Sequence, residues 1–144
     1  MFYRHLINMK LLIIGGKGYI GTALIDFLKS VDVSAITCVD SEDNATKIQE
    51  HDTVNYIHAK YQDLPETFYH SFSHIILLAG QSSVGNSNNV LNVIDNNIRN
   101  FAWLLNIIRP ETMFIYASSS SVYGKTDNKE ADETYNRTSG CEPY

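Results

Sequence analysis

Apolar and polar positions alternate along this chain in blocks of two lengths, and the blocks follow a regular order. Leu11 to Ile14 is wholly aliphatic and apolar toward both sides, as a strand inside a parallel sheet is. Beyond the glycines that interrupt it, Ile20, Leu24, Phe27 and Leu28 recur at near-helical spacing, so a helix is expected to begin at Gly18. Val33 to Val39 reads as a second strand closed by Asp40, Thr53 to His58 as a third, and His74 to Ala79 as a fourth, buried strand ending in Gly80. Between them, Asn44 to Glu50 reads as a short helix, and Tyr61 to Ser73, broken by Pro65, as loop with one further short helix. Ser87 to Arg109 is the longest helix. Its residues Val90, Ile94, Ile98, Phe101, Leu105 and Ile108 share one stripe that Leu91, Trp103, Leu104 and Ile107 widen, enough apolar surface to predict burial on two sides, against the sheet and against a partner. Pro110 stops that helix, Thr112 to Ala117 is a fifth strand, and Gly124 to Pro143 is polar and charged without a period, which reads as a long surface loop or an unfinished active-site segment.

Strands and helices that alternate at these lengths imply right-handed crossovers. The fold class is therefore α/β, a doubly wound parallel sheet of Rossmann-like type, with ligand expected at the carboxyl ends of the strands.

The candidate chemistry sits where the first strand meets the first helix. Gly15, Gly18 and Gly21 are spaced by three, where positive φ and close backbone approach are needed, and the helix that follows points its unpaired N–H groups back at the turn. Such a turn binds an anion, and a pyrophosphate fits it. Asp40 falls about twenty positions further on at the end of the second strand, where a carboxylate accepts hydrogen bonds from adenosine ribose hydroxyls. The same carboxylate repels a 2′-phosphate, and no arginine follows it, so NAD is favoured over NADP. A P-loop is excluded, because no G-x-x-x-x-G-K-[ST] string is present.

Composition narrows the partners. With 144 residues, 44% of them hydrophobic, the chain is one domain with a real core. Residues 1–8 read as a loosely held extension ahead of a domain over 9–144. The net charge of -5 and the absence of a basic cluster argue against nucleic acid. No apolar run is long enough to span a membrane, and the first eight residues carry Arg4 and His5 without the apolar centre of a signal peptide. Cys38 and Cys141 are too few for a disulfide framework or a zinc site, which suits a reducing cytoplasm. His70 and His74 straddle a helix-to-strand boundary with no acidic third ligand nearby and read as surface residues rather than metal ligands.

Several motifs in order carry a family resemblance. The glycine turn Gly15 to Gly21 and Asp40, the segment Leu77-Leu78-Ala79-Gly80-Gln81-Ser82-Ser83-Val84, Asn97, and Phe114-Ile115-Tyr116-Ala117-Ser118-Ser119-Ser120-Ser121-Val122-Tyr123-Gly124 together resemble the N-terminal part of the extended short-chain dehydrogenase/reductases. Within that group the chain looks like the NAD-dependent sugar epimerase/dehydratase family. The S-S-x-x-V-Y-G string is the most specific of these signals. The resemblance implies an NAD cofactor held by Gly15, Gly18, Tyr19, Ile20, Gly21 and Asp40, with Asp63, Leu78, Ala79, Gly80, Asn97, Ala117 and Ser118 completing its site. It implies a nucleotide-sugar substrate, no nucleic acid or membrane partner, and a homodimer through helix 87–109.

For catalysis the resemblance implies Ser119, four positions before Tyr123, as the group that hydrogen-bonds the reacting oxygen, and Tyr144 as the base of a Tyr-x-x-x-Lys motif. In that motif the lysine and the oxidised nicotinamide lower the phenol from its usual pKa of about 10. The lysine would lie four positions past Tyr144, so the expectation is an incomplete NAD-binding portion without the later strands or a substrate domain, inactive by itself. Two positions depart from the family pattern: Lys60 stands where an adenine-holding aspartate is usual, leaving Asp63 to match the second acid, and Asn100 replaces a glycine. The alternative reading is a non-catalytic NAD-binding or interaction module, a truncated remnant of such an enzyme.

Overall fold

The computed structural model describes residues 9–31, 33, 35–41, 53–80, 93–118 and 132. Five strands run parallel in one sheet: β1 (Leu11–Ile14), β2 (Ile36–Asp40), β3 (Val54–His58), β4 (His74–Leu77) and β5 (Met113–Tyr116), in the order β3-β2-β1-β4-β5. Helix α1 (Tyr19–Ser30) joins β1 to β2. After β3 come a 3-10 turn (Tyr61–Asp63) and a single helical turn, α2 (Glu66–Tyr69). Before β5 the chain makes a π-helical turn (Asp95–Arg99) that runs directly into α3 (Asn100–Ile107). The reversal of strand order on either side of β1 is the switch point at which such sheets bind ligands.

Side chains alternate across a strand, and the centre of this sheet is buried on both faces, while Met113, Ile115 and Tyr116 of β5 are exposed. Leu12 and Ile14 join Val39, Ile75, Leu77, Tyr69, Leu104 and Ile107 on the side of α3. Leu11 and Ile13 join Ile25, Val33, Ile36, Cys38 and Val54 on the side of α1. All four residues of β1 are buried, which is why that segment shows no polar alternation. The register aligns Ile14 with Val39 on one side and with Leu77 on the other, so the three central strands end level.

Most elements lie within a few residues of the spans read from sequence, with shorter strands. The long helix divides. Of the apolar residues read on it, Leu104 and Ile107 face the core together with Val93, while Ile94, Ile98 and Leu105 are exposed. The helix opens on the π turn, which is closed by i→i+5 bonds and holds more residues than an α turn. The Arg99–Asp95 ion pair, 3.0 Å, closes over that turn on the solvent side. The helix read at 44–50, the first part of the one read over 87–109 and, apart from Asp132, the segment read at 124–143 lie outside the described residues.

Candidate functional site

The turn after β1 is shaped by what a Cβ would strike. Gly15 takes φ +84, and a Cβ on it would come within 2.5 Å of the Ala79 backbone nitrogen, so the turn from β1 and the end of β4 touch main chain to main chain. A Cβ on Gly21 would fall 2.5 Å from the Gly16 Cα, which holds the first turn of α1 against the loop. Gly15 N–H donates to the Val39 carbonyl at 2.8 Å, and the Leu78 and Ala79 N–H groups both donate to Ile14 O, at 2.8 and 3.0 Å. These bonds gather the carboxyl ends of β1, β2 and β4 around one point.

Helix α1 opens onto that point. Gly18 is its N-cap with no side-chain cap, and the first backbone bond back to the cap is made by Thr22 N–H to Gly18 O at 2.9 Å. The amides of Tyr19, Ile20 and Gly21 come before it, and with the helix dipole they form an electropositive end. Tyr19 and Ile20 are both exposed beside it. On the far side stands Asp40. Its Oδ2 accepts the Lys17 main-chain N–H at 2.9 Å, so the carboxylate is turned onto the glycine turn. The Lys17 side chain folds inward, 8% exposed, with Nζ 5.7 Å from the centre of the Tyr56 ring.

The other residues singled out in the sequence surround the same edge of the sheet. Leu78, Ala79 and Gly80 continue β4, and the Asn97 carboxamide oxygen lies 3.5 Å from where a Cβ on Gly80 would sit, brought there by the π turn. Ala117 N–H donates to Leu77 O at 3.3 Å, which carries Ala117 and Ser118 to the end of β5. Asp63 lies apart, exposed on the 3-10 turn beyond β3. Ser119 and Tyr144 lie outside the described residues. His70 and His74, read as surface residues, are half-buried: His70 Nε2 bonds across to Ile107 O at the end of α3, 3.2 Å, and His74 Nδ1 pairs with the adjacent Ser73 hydroxyl at 2.8 Å.

Three features could not be read from residue spacing. The Lys17 main-chain amide positions Asp40. Gly16 admits Cys38, whose Sγ lies 2.5 Å from where a Cβ would be. The third is a pair of buried tyrosines behind the β3 turn. Tyr69 donates its hydroxyl to the Tyr61 carbonyl, and the Tyr61 hydroxyl is buried without a hydrogen-bond partner among the described residues. Burial pushes the Tyr61 phenol up to about 12 and raises Tyr69 also, with the neighbouring Tyr61 adding to the shift. Trp103 packs on both rings, with centroids 6.4 Å from Tyr61 and 5.7 Å from Tyr69.

The family model described as NAD dependent epimerase/dehydratase family matches residues 11–144. The chain belongs to that family. Among solved structures, the UDP-N-acetylglucosamine 4-epimerase of Methanobrevibacter ruminantium, in complex with UDP-N-acetylmuramic acid, is similar at 26% identity and TM-score 0.80 over 94% of this chain and 46% of that one. The UDP-glucose-4-epimerase of Stenotrophomonas maltophila, with bound NAD and formylated UDP-arabinopyranose, is similar at 24% identity and TM-score 0.74 over 92% of this chain and 44% of that one. The Thermus thermophilus UDP-glucose 4-epimerase complex with NAD shares 21% identity and TM-score 0.76, with 90% and 44% covered. This chain thus spans under half the length of these relatives. No curated protein sequence matches it. Among the described residues, no helix is long and apolar enough to cross a membrane.

Proposed function

We propose that this chain is the NAD(H)-binding portion of a nucleotide-sugar epimerase or dehydratase. The observation that carries the reading is the Asp40 carboxylate turned onto the glycine turn by the Lys17 amide, next to the uncapped amino end of α1. A pyrophosphate fits the amides of the helix end, and the ribose hydroxyls fit the carboxylate. The cradle at Gly15 and Gly21, where any Cβ would collide with backbone, leaves the main chain itself as the binding surface. NAD in the solved relatives from Stenotrophomonas and Thermus, and sugar nucleotides in those from Methanobrevibacter and Stenotrophomonas, support the same ligand classes here.

NAD⁺ bound at this edge supplies the acceptor for a hydride from a sugar hydroxyl. In the reaction this implies, the Tyr144 phenolate takes the hydroxyl proton and the Ser119 hydroxyl steadies the oxygen, the roles their motif positions support. Epimerisation and loss of water both begin with that step. The exposed Ile94, Ile98 and Leu105 stripe is the surface for a homodimer, and a reducing cytoplasm is the setting that the buried thiol of Cys38 suits.

Thermal melting tests the reading. A ligand at about 100 times its Kd stabilises the folded state by about 2.7 kcal/mol, so millimolar NAD⁺ is expected to raise the Tm by several degrees. An unchanged Tm would refute it.

A further inference from the structure

A dinucleotide laid on this site has a direction. Its pyrophosphate belongs at the amino end of α1, above β1, and its adenosine ribose at Asp40, the end of β2. The base must then continue the same way across the sheet, over the end of β3, because the strand order is β3-β2-β1. The first backbone it meets there is the segment from Ala59 to Asp63. Ala59 is tied to the site, since its N–H donates to Asp40 O at 3.0 Å. Tyr61 to Asp63 then form the 3-10 turn, closed by Asp63 N–H to Lys60 O at 3.0 Å and by a long bond, 3.3 Å, from Leu64 N–H to Tyr61 O.

So short a turn has little of its own to hold it. What holds it from below is Tyr69, wholly buried on α2, whose hydroxyl donates to the Tyr61 carbonyl. The ring of Tyr69 is fixed in turn by edge contacts with Trp103 and Phe68, at 5.7 and 5.3 Å between centroids. We propose that Tyr69 is a positioning residue for base recognition: its hydroxyl latches the turn after β3 in the place where the purine of the dinucleotide is received. It touches no ligand and acts through the Tyr61 carbonyl. The inference rests on the dinucleotide reading above.

The latch predicts a split between ligands that carry the base and ligands that do not. Tyr69→Phe keeps the ring and its packing and removes the one hydrogen bond. Its affinity for ADP-ribose is expected to fall about fivefold, the effect of one neutral hydrogen bond, with affinity for inorganic pyrophosphate unchanged. Phe72→Leu loosens the packing beside the same helical turn, on the far side of Phe68, and removes neither the hydroxyl nor a ring that fixes Tyr69; it is expected to leave the ratio of the two affinities at the wild-type value. Calorimetric titration of all three proteins with both ligands, well below their melting temperatures, reads the result. A Tyr69→Phe protein with the wild-type ratio, or a Phe72→Leu protein with the same loss as Tyr69→Phe, would overturn the latch alone. Failure of the wild type to bind ADP-ribose would overturn the dinucleotide reading itself and the latch with it.

Discussion

The main-chain N–H of Lys17 donates to Asp40 Oδ2 at 2.9 Å, and this bond joins the glycine turn to the end of β2. Asp40 thus meets two demands at once: it braces the turn, and it presents negative charge where a ribose edge would rest. Asp40→Asn keeps an acceptor for Lys17 and removes the charge. The expected outcome is an NAD⁺ affinity about 10-fold weaker, from the loss of a charged acceptor, and a smaller preference over NADP⁺, since the 2′-phosphate is no longer repelled. Parallel titrations with the two cofactors check both changes.

The glycines are predicted to differ sharply from one another. Gly15→Ala places a Cβ 2.5 Å from the Ala79 nitrogen at φ +84, and Gly21→Ala places one 2.5 Å from Gly16 Cα. Each is expected to cost about 2 kcal/mol or more, because backbone on both sides must shift. Gly18→Ala, whose nearest neighbour would be Gly15 O at 3.4 Å, is expected to stay within about 1 kcal/mol of the wild type. Urea unfolding of the three variants gives the order.

The two buried tyrosines should respond to hydroxyl removal with opposite signs. Tyr61→Phe deletes a buried hydroxyl that has no partner among the described residues and is expected to stabilise the fold by about 1 kcal/mol, whereas Tyr69→Phe deletes a donor in use and is expected to destabilise it by a similar amount. Alkaline pH supplies an independent check. Both phenols titrate higher in the folded chain than the usual value of 10, so their contribution is constant below about pH 10. Above that, the unfolded chain releases protons that the folded chain retains, and stability falls by up to about 1.4 kcal/mol per pH unit for each tyrosine. For Tyr61 the fall runs from pH 10 to about 12. Each Phe variant should show a shallower decline in urea midpoint over that range.

How much of this was legible in the sequence follows from whether a feature is local. Leu11 to Ile14, the glycine turn and Asp40 are fixed by short-range constraints of φ, burial and strand length, and their positions read directly. On the long helix the apolar character of Leu104 and Ile107 was legible and both are buried, but a period of 3.6 does not reveal the π turn at Asp95–Arg99 or that Ile94, Ile98 and Leu105 lie on the exposed side. The Lys17 to Asp40 bond, the seat of Cys38 against Gly16 and the Tyr69 to Tyr61 bond each join residues from separate elements. No spacing along the chain encodes them.

The exposed stripe of the long helix carries its own prediction. Ile98 is 61% exposed, flanked by Ile94 and Leu105. Self-association through that surface is expected at high concentration, and Ile98→Asp should shift the chain toward monomer without lowering its Tm, since the side chain contributes little to the core. Size-exclusion chromatography with light scattering, run across a concentration series, reads both species.

Calorimetric titration of the 144-residue chain with NAD⁺ and, separately, with NADP⁺ tests the central claim most directly. Saturable one-to-one binding of NAD⁺ well below millimolar, with NADP⁺ at least about tenfold weaker, is the predicted result. Absence of NAD⁺ binding below millimolar, or an equal affinity for NADP⁺, would contradict the assignment of the glycine turn and Asp40 as a dinucleotide site.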